Sequence, residues 1–214
     1  MKREEILSKI FAMLTRGVAD RKSPLHTPTL ATISADGSPQ ARIVVFRKFF
    51  PEERVLIYHT DSRSPKIKEI ETDSRVSWLF YHPGEKMQFR IAGRATIQAD
   101  ANDALKLKQW QATWAFGRRC YMGEAPSQTA AEATSGMPAE IENREPTNEE
   151  SELGFPNFAV VSTKIISIDC LELHASGHRL SLFTWHENGE LQTEVAHAVN
   201  KSARFIIKIE MIRG

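Results

Sequence analysis

The chain has 214 residues, with 28 Lys and Arg against 27 Asp and Glu, so its formal net charge is only +1. This balance provides no general attraction for nucleic acid, and any phosphate binding must depend on a local group of residues. No apolar run reaches the roughly 18 residues that a membrane span requires. The length fits a single domain, residues 1–214, with a sizeable core.

The amino terminus and the cysteines predict a cytoplasmic protein. The opening stretch, MKREEILSKIF, carries Glu4 and Glu5 where a secretory signal would carry cations alone. Cys120 and Cys170 lie far apart and lack the spacing of metal ligands, which is typical of unused thiols in a reducing compartment. We therefore expect neither export nor a metal site.

An amphipathic helix is expected at about residues 3–16, because apolar residues recur there at close to helical spacing and Gly17 follows. We interpret this helix as a lid on the elements that come after it. Residues 28–33 alternate as a β-strand, and Asp36-Gly37 is a strong signal for a hairpin turn back into the next strand.

The stretch RIVVFRKFFPEERVLIYHTDSRSPK, residues 42–66, organises the rest of the chain. Its first six residues alternate as one strand, so that side chains of even and odd number point to opposite faces. A turn at Pro51 leads to a second strand at 54–60, and a helix is expected at 65–72.

The start of that helix has the composition of an anion site. Ser64 stands at the N-cap and Pro65 at the first helical position, while Arg63 and Lys66 supply two cations. Free N–H groups at a helix start, a hydroxyl and cations together bind phosphate groups well. This corner is therefore predicted to grip a phosphate.

The remaining strands favour an antiparallel sheet. Residues 76–81 form a nearly continuous apolar run, which predicts a strand buried on both faces. Pro83-Gly84 turns the chain back into another strand at 87–97. Strands joined by short turns, with one helix between them, predict a mainly β (α+β) fold in which the sheet curls into a barrel.

The second half of the chain contains one helix, one acidic segment and further strands. A helix is expected at 101–116. Residues 123–152 hold eight Glu and one Arg, and predict a flexible acidic loop within the domain rather than a second domain. One or two strands from residue 157, a strand at 178–185 and a hairpin through Asn188-Gly189 to residues 191–195 follow. The sequence indicates no role for the last dozen residues.

Six stretches in order, over roughly residues 25–185, resemble the FMN-binding split-barrel family, and most closely its pyridoxamine 5'-phosphate oxidase-like branch. They are TLATISADGSPQARIVVFRKF, LIYHTDSRSPKIKEI, RVSWLFY, QFRIAGRA, RRCYMG and GHRLSLF. The resemblance implies an antiparallel split β-barrel with flanking helices, a homodimer with FMN at the subunit interface, and a small-molecule substrate.

The resemblance also implies a set of flavin-binding residues. They are Arg42, Ile43, Val44, Val45 and Arg47 on the first strand of the organising stretch, His59, Thr60, Arg63, Ser64 and Lys66 at the phosphate corner, and Gln88 on a neighbouring strand. Pro65-Lys66 stands where the family has an Arg-Lys doublet. We therefore expect Arg63 to supply the missing guanidinium group.

The substrate residues of the family are replaced in part. Its Tyr, Arg and Ser, four residues apart on one helical face, correspond here to Trp110, Trp114 and Arg118. Both Trp residues are expected to face the core. Arg179, in a His-Arg-Leu-Ser sequence, and Arg47 are expected to orient an anionic substrate over the flavin and stabilise developing charge, which makes Arg179 the predicted catalytic residue.

Two functions remain open at this point. The first is an FMN-dependent oxidoreductase that acts on a small anionic substrate, and the surviving Arg179 favours it. The second is a non-catalytic flavin-binding or sensing protein, which the changed residues Trp110, Trp114 and Arg118 favour. A barrel of this kind can also hold another planar ligand such as a deazaflavin or haem, although no His stands out as an axial haem ligand.

Overall fold

The computed structural model describes residues 3–130, 132 and 134–197. The helices are α1 (Arg3–Ala19), α2 (Pro65–Thr72), α3 (Ala104–Gln111), α4 (Ala115–Arg118) and α5 (Asn148–Ser151), with 3₁₀ turns at Arg119–Tyr121 and Glu152–Asn157. The strands are β1 (Thr29–Ile33), β2 (Pro39–Ile43), β3 (Phe46–Phe50), β4 (Val55–Asp61), β5 (Arg75–His82), β6 (Met87–Gln98), β7 (Phe158–Glu172), β8 (Arg179–Trp185) and β9 (Leu191–His197).

The strands form one antiparallel sheet that curls into a split barrel. Seven of them follow the order β2-β1-β5-β6-β7-β4-β3, while β8 pairs with β7 and β9 pairs with β8. Strands β2 and β3 lie at opposite ends of this path, yet only Val44 and Val45 separate them in the chain. Two linking residues span about 10 Å at most, so the sheet must bend until its two ends meet. The predicted antiparallel split barrel is confirmed.

The link between the two ends is held by the segment before β1. The backbone N–H of Val44 donates to the carbonyl of Pro28 at 3.0 Å, and that of Phe46 donates to His26 at 2.9 Å. The predicted single strand at 42–47 is therefore wrong, because the chain leaves one edge of the sheet at Ile43 and joins the other at Phe46.

The core lies inside the curl, and α1 packs against it. Ile6, Ile10 and Leu14 recur every four residues on one face of α1 and are buried in the main apolar cluster. Phe11 contacts Phe49 edge to face, with ring centroids 5.2 Å apart. The helix predicted at 3–16 is thus confirmed, and it continues to Ala19.

Elements with strong local signals lie where the sequence predicts them. The helix predicted at 65–72 is α2, with the same bounds. The strands predicted at 28–33, 54–60 and 87–97 are β1, β4 and β6. The Asp36-Gly37 turn joins β1 to β2, and Gly37 has the positive φ of 83° that this turn requires. Strands β8 and β9 flank the predicted Asn188-Gly189 turn.

Strand β5 differs from its prediction because one of its faces is open. Its residues alternate between buried and exposed along its length, so it is not buried on both faces. Leu79 is 40% exposed and Tyr81 is 46% exposed on the outer face of the sheet. An apolar run predicts burial, but nothing within the described ranges covers this face.

The prediction of one helix at 101–116 is also wrong, because this segment forms two helices, α3 and α4. The hydroxyl of Thr113 donates to the carbonyl of Gln109 at 2.8 Å, and Trp114 adopts an extended conformation at the N-cap of α4. Trp110 therefore lies on α3, whereas Trp114 lies before the first residue of α4. Trp110 is buried as expected, whereas Trp114 is 55% exposed.

The acidic segment 123–152 is partly packed. Ile141 is buried, and a capping box formed by Thr147 and Glu150 begins the short helix α5. Its flexibility stays a prediction, and the last dozen residues of the chain lie outside the described residues. No helix in the described ranges has the length and apolarity to cross a membrane.

We expect Ile10→Ala to lower the free energy of unfolding by roughly 2–5 kcal/mol, because it leaves a cavity where α1 meets the core. Urea denaturation followed by circular dichroism measures the change. Ser8→Ala, on the exposed face of the same helix, is the matched control and should stay within about 0.5 kcal/mol of wild type. Equal effects of the two substitutions would contradict the packing described for α1.

Candidate functional site

A cleft of about 490 Å³ lies where the end of β4 meets the start of α2. Strands β3 and β4, helix α2, the 3₁₀ turn Arg119–Tyr121 and the acidic segment build it. Its lining comprises Val45 and Arg47 at the start of β3, His59, Thr60 and Asp61 of β4, Ser64 and Lys66 at the start of α2, Cys120 and Tyr121, and residues 124–128, 130 and 134–137. Six of the predicted flavin-binding residues are thus brought together: Val45, Arg47, His59, Thr60, Ser64 and Lys66.

Lys66 is held in place by two hydroxyl groups. Its Nζ donates to Thr60 Oγ1 at 3.1 Å and to Ser64 Oγ at 2.5 Å. Because both hydroxyls accept from the ammonium group, each keeps its own hydrogen to donate elsewhere, and Lys66 keeps a third N–H. Burial and the charge of Arg42 lower the pKa of Lys66, and an anion bound beside it would oppose both effects.

Ser64 is the N-cap of α2 with Pro65 after it, as predicted, but its hydroxyl makes no capping hydrogen bond. It accepts from Lys66 instead. The N-terminal end of the helix dipole therefore lies beside an ammonium group and two hydroxyls, and all of these favour an anion.

Arg47 carries a buried donor that has no partner. Its Nε is enclosed by protein, and no acceptor lies within hydrogen-bonding distance among the described residues. A buried N–H without an acceptor is costly, so a ligand atom in the cleft would relieve that cost. This orphaned donor fits a cofactor with several acceptor atoms, which FMN is.

His59 is neutral near pH 7. Burial, followed by the charge of Arg47, lowers the pKa of His59 to about 4. Its Nε2 lies 3.2 Å from Oε1 of Gln109, an acceptor, so Nε2 carries the hydrogen. Nδ1 is then an acceptor, and in the described structure it is buried without a partner. A donor on a ligand could satisfy it.

Arg63 does not line the cleft, although the sequence predicts it to be a phosphate ligand. Its guanidinium group binds Asp61, with Nη2 to Oδ2 at 2.7 Å and Nε to Oδ1 at 3.0 Å. Nη2 also donates to the carbonyl of Gly123 at 2.9 Å. In this structure Arg63 neutralises the one carboxylate of β4 that faces the cleft and ties the acidic segment to that strand.

The other predicted flavin residues also lie away from the cleft. Arg42 pairs with Glu69 of α2 at 2.7 Å and donates to Thr32, which fastens α2 to the sheet. Val44 is buried in the core, while Ile43 is 70% exposed. Gln88 sits opposite Tyr81 and Leu171 on the outer face, and Arg179 is exposed at the start of β8. Their contacts with a flavin stay predictions.

Sequence reasoning missed Asp61, Cys120, Tyr121 and the part of the acidic segment that forms one wall of the cleft. Asp61 follows two predicted site residues, which is the one signal that pointed toward it. Apart from Met137, the wall consists mostly of residues with small or polar side chains, and it carries no recognisable motif. In the described ranges, no group of three or more His, Cys, Asp or Glu is arranged to hold a metal ion.

Arg118 is fully engaged inside the protein. Its guanidinium lies 4.6 Å from the ring centroid of Trp110 and donates to the Trp110 carbonyl at 2.9 Å and to Glu152 Oε1 at 2.6 Å. Because its guanidinium group is paired with Glu152, Arg118 is not available to a ligand. Trp110, Trp114 and Arg118, which correspond in sequence to the family's substrate residues, therefore do not form one common surface.

Comparison with known sequences matches residues 8–99 to the model of the pyridoxamine 5'-phosphate oxidase FMN-binding domain. This region runs from α1 to the end of β6 and includes the corner at Ser64 and Lys66. A relative from Arabidopsis thaliana, pyridoxine/pyridoxamine 5'-phosphate oxidase 2, is 41% identical over 88 residues. The match spans 40% of this chain and 43% of that protein, less than half of its length.

Two solved structures share the fold over most of the chain. A pyridoxamine 5'-phosphate oxidase-related, FMN-binding protein from Nostoc punctiforme has a TM-score of 0.69 at 22% identity and covers 89% of this chain and 95% of its own. PhzG from Burkholderia lata 383 has a TM-score of 0.63 at 18% identity, with 90% and 91% covered. Residues 8–99 are thus similar to the pyridoxamine 5'-phosphate oxidase FMN-binding domain, and most of the chain shares the split-barrel fold of these two structures.

Proposed function

We propose that this protein binds FMN in the cleft at the start of α2 and is an FMN-dependent oxidoreductase for a small anionic substrate. The observation that carries the proposal is the position of Lys66 between the hydroxyls of Thr60 and Ser64, in one cleft with the unpartnered Nε of Arg47. These groups supply charge-assisted donors for the phosphate and a further donor for the remainder of the cofactor. When bound, FMN supplies the electron-transfer chemistry.

The residues of the protein would bind the phosphate of the cofactor and stabilise the charge that develops during the reaction. Lys66, Ser64 and Thr60 would hold the phosphate, with the helix dipole of α2 behind them. Arg47 places a second cation in the same cleft, where it would stabilise negative charge that develops during reduction. His59 is neutral near pH 7, so it adds no second positive charge and can accept a hydrogen bond at Nδ1.

The proposal includes a homodimer. The outer face of the sheet exposes Ile43, Leu79 and Tyr81, and the small residues Ala31 and Ser77 pair beside them. A partly apolar sheet face of this kind supports burial against a second copy related by twofold symmetry. Gln88 lies on the same face, next to Tyr81. We infer that Gln88 reaches the flavin across such an interface, since it does not line the cleft of its own chain.

We also place the proposed enzyme in the cytoplasm. Both cysteines are free, Cys120 on the surface and Cys170 in the core. An exposed free thiol is typical of a reducing compartment.

A non-catalytic flavin-binding or sensing protein is the second candidate. The engagement of Arg118 with Glu152 and Trp110 favours it, because that guanidinium is not available to a substrate phosphate. Anaerobic mixing of the FMN-loaded protein with NADH, NADPH and pyridoxamine 5'-phosphate separates the two. If one of these donors bleaches the yellow flavin, the result supports an enzyme. If none of the three reduces the flavin, the result supports a protein that only binds it.

We expect Lys66→Ala to weaken FMN binding by roughly 10- to 150-fold, since a charge-assisted hydrogen bond contributes about 1.5–3 kcal/mol. Titration of flavin fluorescence with apoprotein measures the dissociation constant. Lys68→Ala removes an exposed cation from the same helix and should bind FMN as wild type does. If the Lys66 and Lys68 variants bind equally, Lys66 is not a phosphate ligand.

We expect Leu79→Asp to convert the dimer to a monomer, because it buries a charge in the proposed interface. Analytical ultracentrifugation of the FMN-loaded protein should then show half the wild-type mass. Leu153→Asp places the same charge on an exposed leucine away from the sheet, and it should leave the mass unchanged. An unaltered mass for the Leu79 variant would remove the outer face from the dimer model.

A further inference from the structure

We propose that Gln109 is a positioning residue that holds the hydrogen of His59 on Nε2. Nδ1 of His59 and Nε of Arg47 then bind one hydroxyl group of the chain that links the phosphate of FMN to its ring. The inference rests on the proposed function, because it names the part of the cofactor that these side chains recognise. It also assigns a role to a helix residue that lies outside the predicted flavin-binding set.

Two buried polar atoms of opposite type lack a partner beside the phosphate corner. Nε of Arg47 carries a hydrogen, and among the described residues neither this atom nor Nδ1 of His59 has a hydrogen-bond partner. Both side chains line the cleft that contains Lys66. Because each unsatisfied atom costs free energy, a ligand that supplies both partners is favoured.

A hydroxyl group matches this pair of atoms. Burial and then the charge of Arg47 lower the pKa of His59 to about 4, so the two side chains are near neighbours and the imidazole is neutral near pH 7. A hydroxyl group can accept a hydrogen bond from Nε of Arg47 and donate its own hydrogen to Nδ1 of His59. A carbonyl group satisfies only the first of these atoms, and an N–H group satisfies only the second.

The acceptor character of Nδ1 depends on Gln109. In a neutral imidazole only one ring nitrogen carries a hydrogen. Nε2 of His59 lies 3.2 Å from Oε1 of Gln109, and this contact requires the hydrogen on Nε2. In the opposite tautomer Nδ1 would be a donor, and it would then compete with Nε of Arg47 for the same acceptor atoms.

Gln109 acts from behind the imidazole. It does not line the cleft that contains Lys66, so it is not placed to contact the cofactor there. Gln109 and His59 instead line a second cleft of about 550 Å³, which Trp114 also lines. His59 thus borders both clefts, and Gln109 acts on the first one only through the imidazole ring.

The packing of α3 keeps Gln109 in this position. Gln109 is 7% exposed, and the next residue, Trp110, is buried and donates from Nε1 to Glu152 at 2.9 Å. The ring of Phe158 contacts Trp110 with centroids 5.1 Å apart and contacts His59 with centroids 4.9 Å apart. The helix and the imidazole therefore pack against the same phenylalanine, which preorganises the acceptor.

The position of His59 in β4 selects the linking chain of the cofactor. Thr60 and Lys66 are proposed to hold the phosphate, and His59 directly precedes Thr60. In FMN the chain next to the phosphate carries hydroxyl groups, and the ring follows beyond it. The group that lies nearest to the phosphate corner is therefore a hydroxyl group of this chain.

Nitrogen-15 NMR of the full-length protein, with and without FMN, tests the tautomer. We expect His59 in both samples at pH 7 to be neutral, with its hydrogen on Nε2, and His59→Gln identifies its signals by their loss. Gln109→Leu should abolish the preference for Nε2, because it removes the acceptor. A hydrogen on Nδ1 in the wild-type protein, or an unchanged tautomer in Gln109→Leu, overturns the assignment.

Titration of flavin fluorescence tests the effect on the cofactor. Gln109→Leu should weaken FMN binding about two- to tenfold, which is the effect of losing a neutral hydrogen bond. Gln111→Leu makes the same substitution at an exposed residue of the same helix and should bind FMN as wild type does. Equal affinities of the Gln109 and Gln111 variants contradict the proposal.

An FMN analogue tests the hydroxyl group itself. Its linking chain is a phosphorylated hydroxypentyl group, so it keeps the ring and the phosphate but has no hydroxyl groups along the chain. We expect it to bind the wild-type protein more weakly than FMN does. Gln109→Leu should weaken its binding no further, because the two changes remove the same hydrogen bond. An equal loss with FMN and with the analogue overturns the hydroxyl contact.

The two proposals fail in different ways. If the wild-type protein does not bind FMN, the proposed function fails and the hydroxyl contact fails with it, while the tautomer measured without FMN still confirms or refutes the role of Gln109. If FMN binds but the tautomer or the analogue gives the contrary result, only the present inference fails.

Discussion

The structure depends on the two-residue link formed by Val44 and Val45. It joins strands from opposite ends of the sheet, and a link this short is possible only if the sheet curls until the two ends meet. The same link places Arg47 at the start of β3, beside the end of β4 and the first turn of α2. The bend of the sheet that forms the barrel therefore also brings the residues of the cleft together.

Ion pairing determines which cations face the cleft. Arg42 pairs with Glu69 and Arg63 pairs with Asp61. These two arginines compensate carboxylates and hold α2 and the acidic segment in position. Lys66 and Arg47 then remain directed at the cleft. A protein with almost no net charge can thus form a local anion site, because Asp61 and Glu69 beside it are each paired with an arginine.

The break between α3 and α4 separates residues that one continuous helix would align. Trp110 and Arg118 are buried and both donate to the exposed carboxylate of Glu152, whereas Trp114 is exposed and contacts Arg21. Three residues that a helical pattern would group on a single face thus have different roles. Trp110 and Arg118 support the packing beneath the site, and Trp114 lines the cleft beside it.

The sequence by itself determined the features that depend on neighbouring residues. These include the Asp36-Gly37 turn, the start of α2 at Ser64 and Pro65, and the corner with Thr60 and Lys66, because turn geometry and helix capping involve contacts a few residues apart. Only the tertiary structure decided which face of β5 is open, which partner Arg63 takes and which cations stay available for a ligand. Those outcomes follow from contacts between residues far apart in the chain, and a local pattern does not encode them.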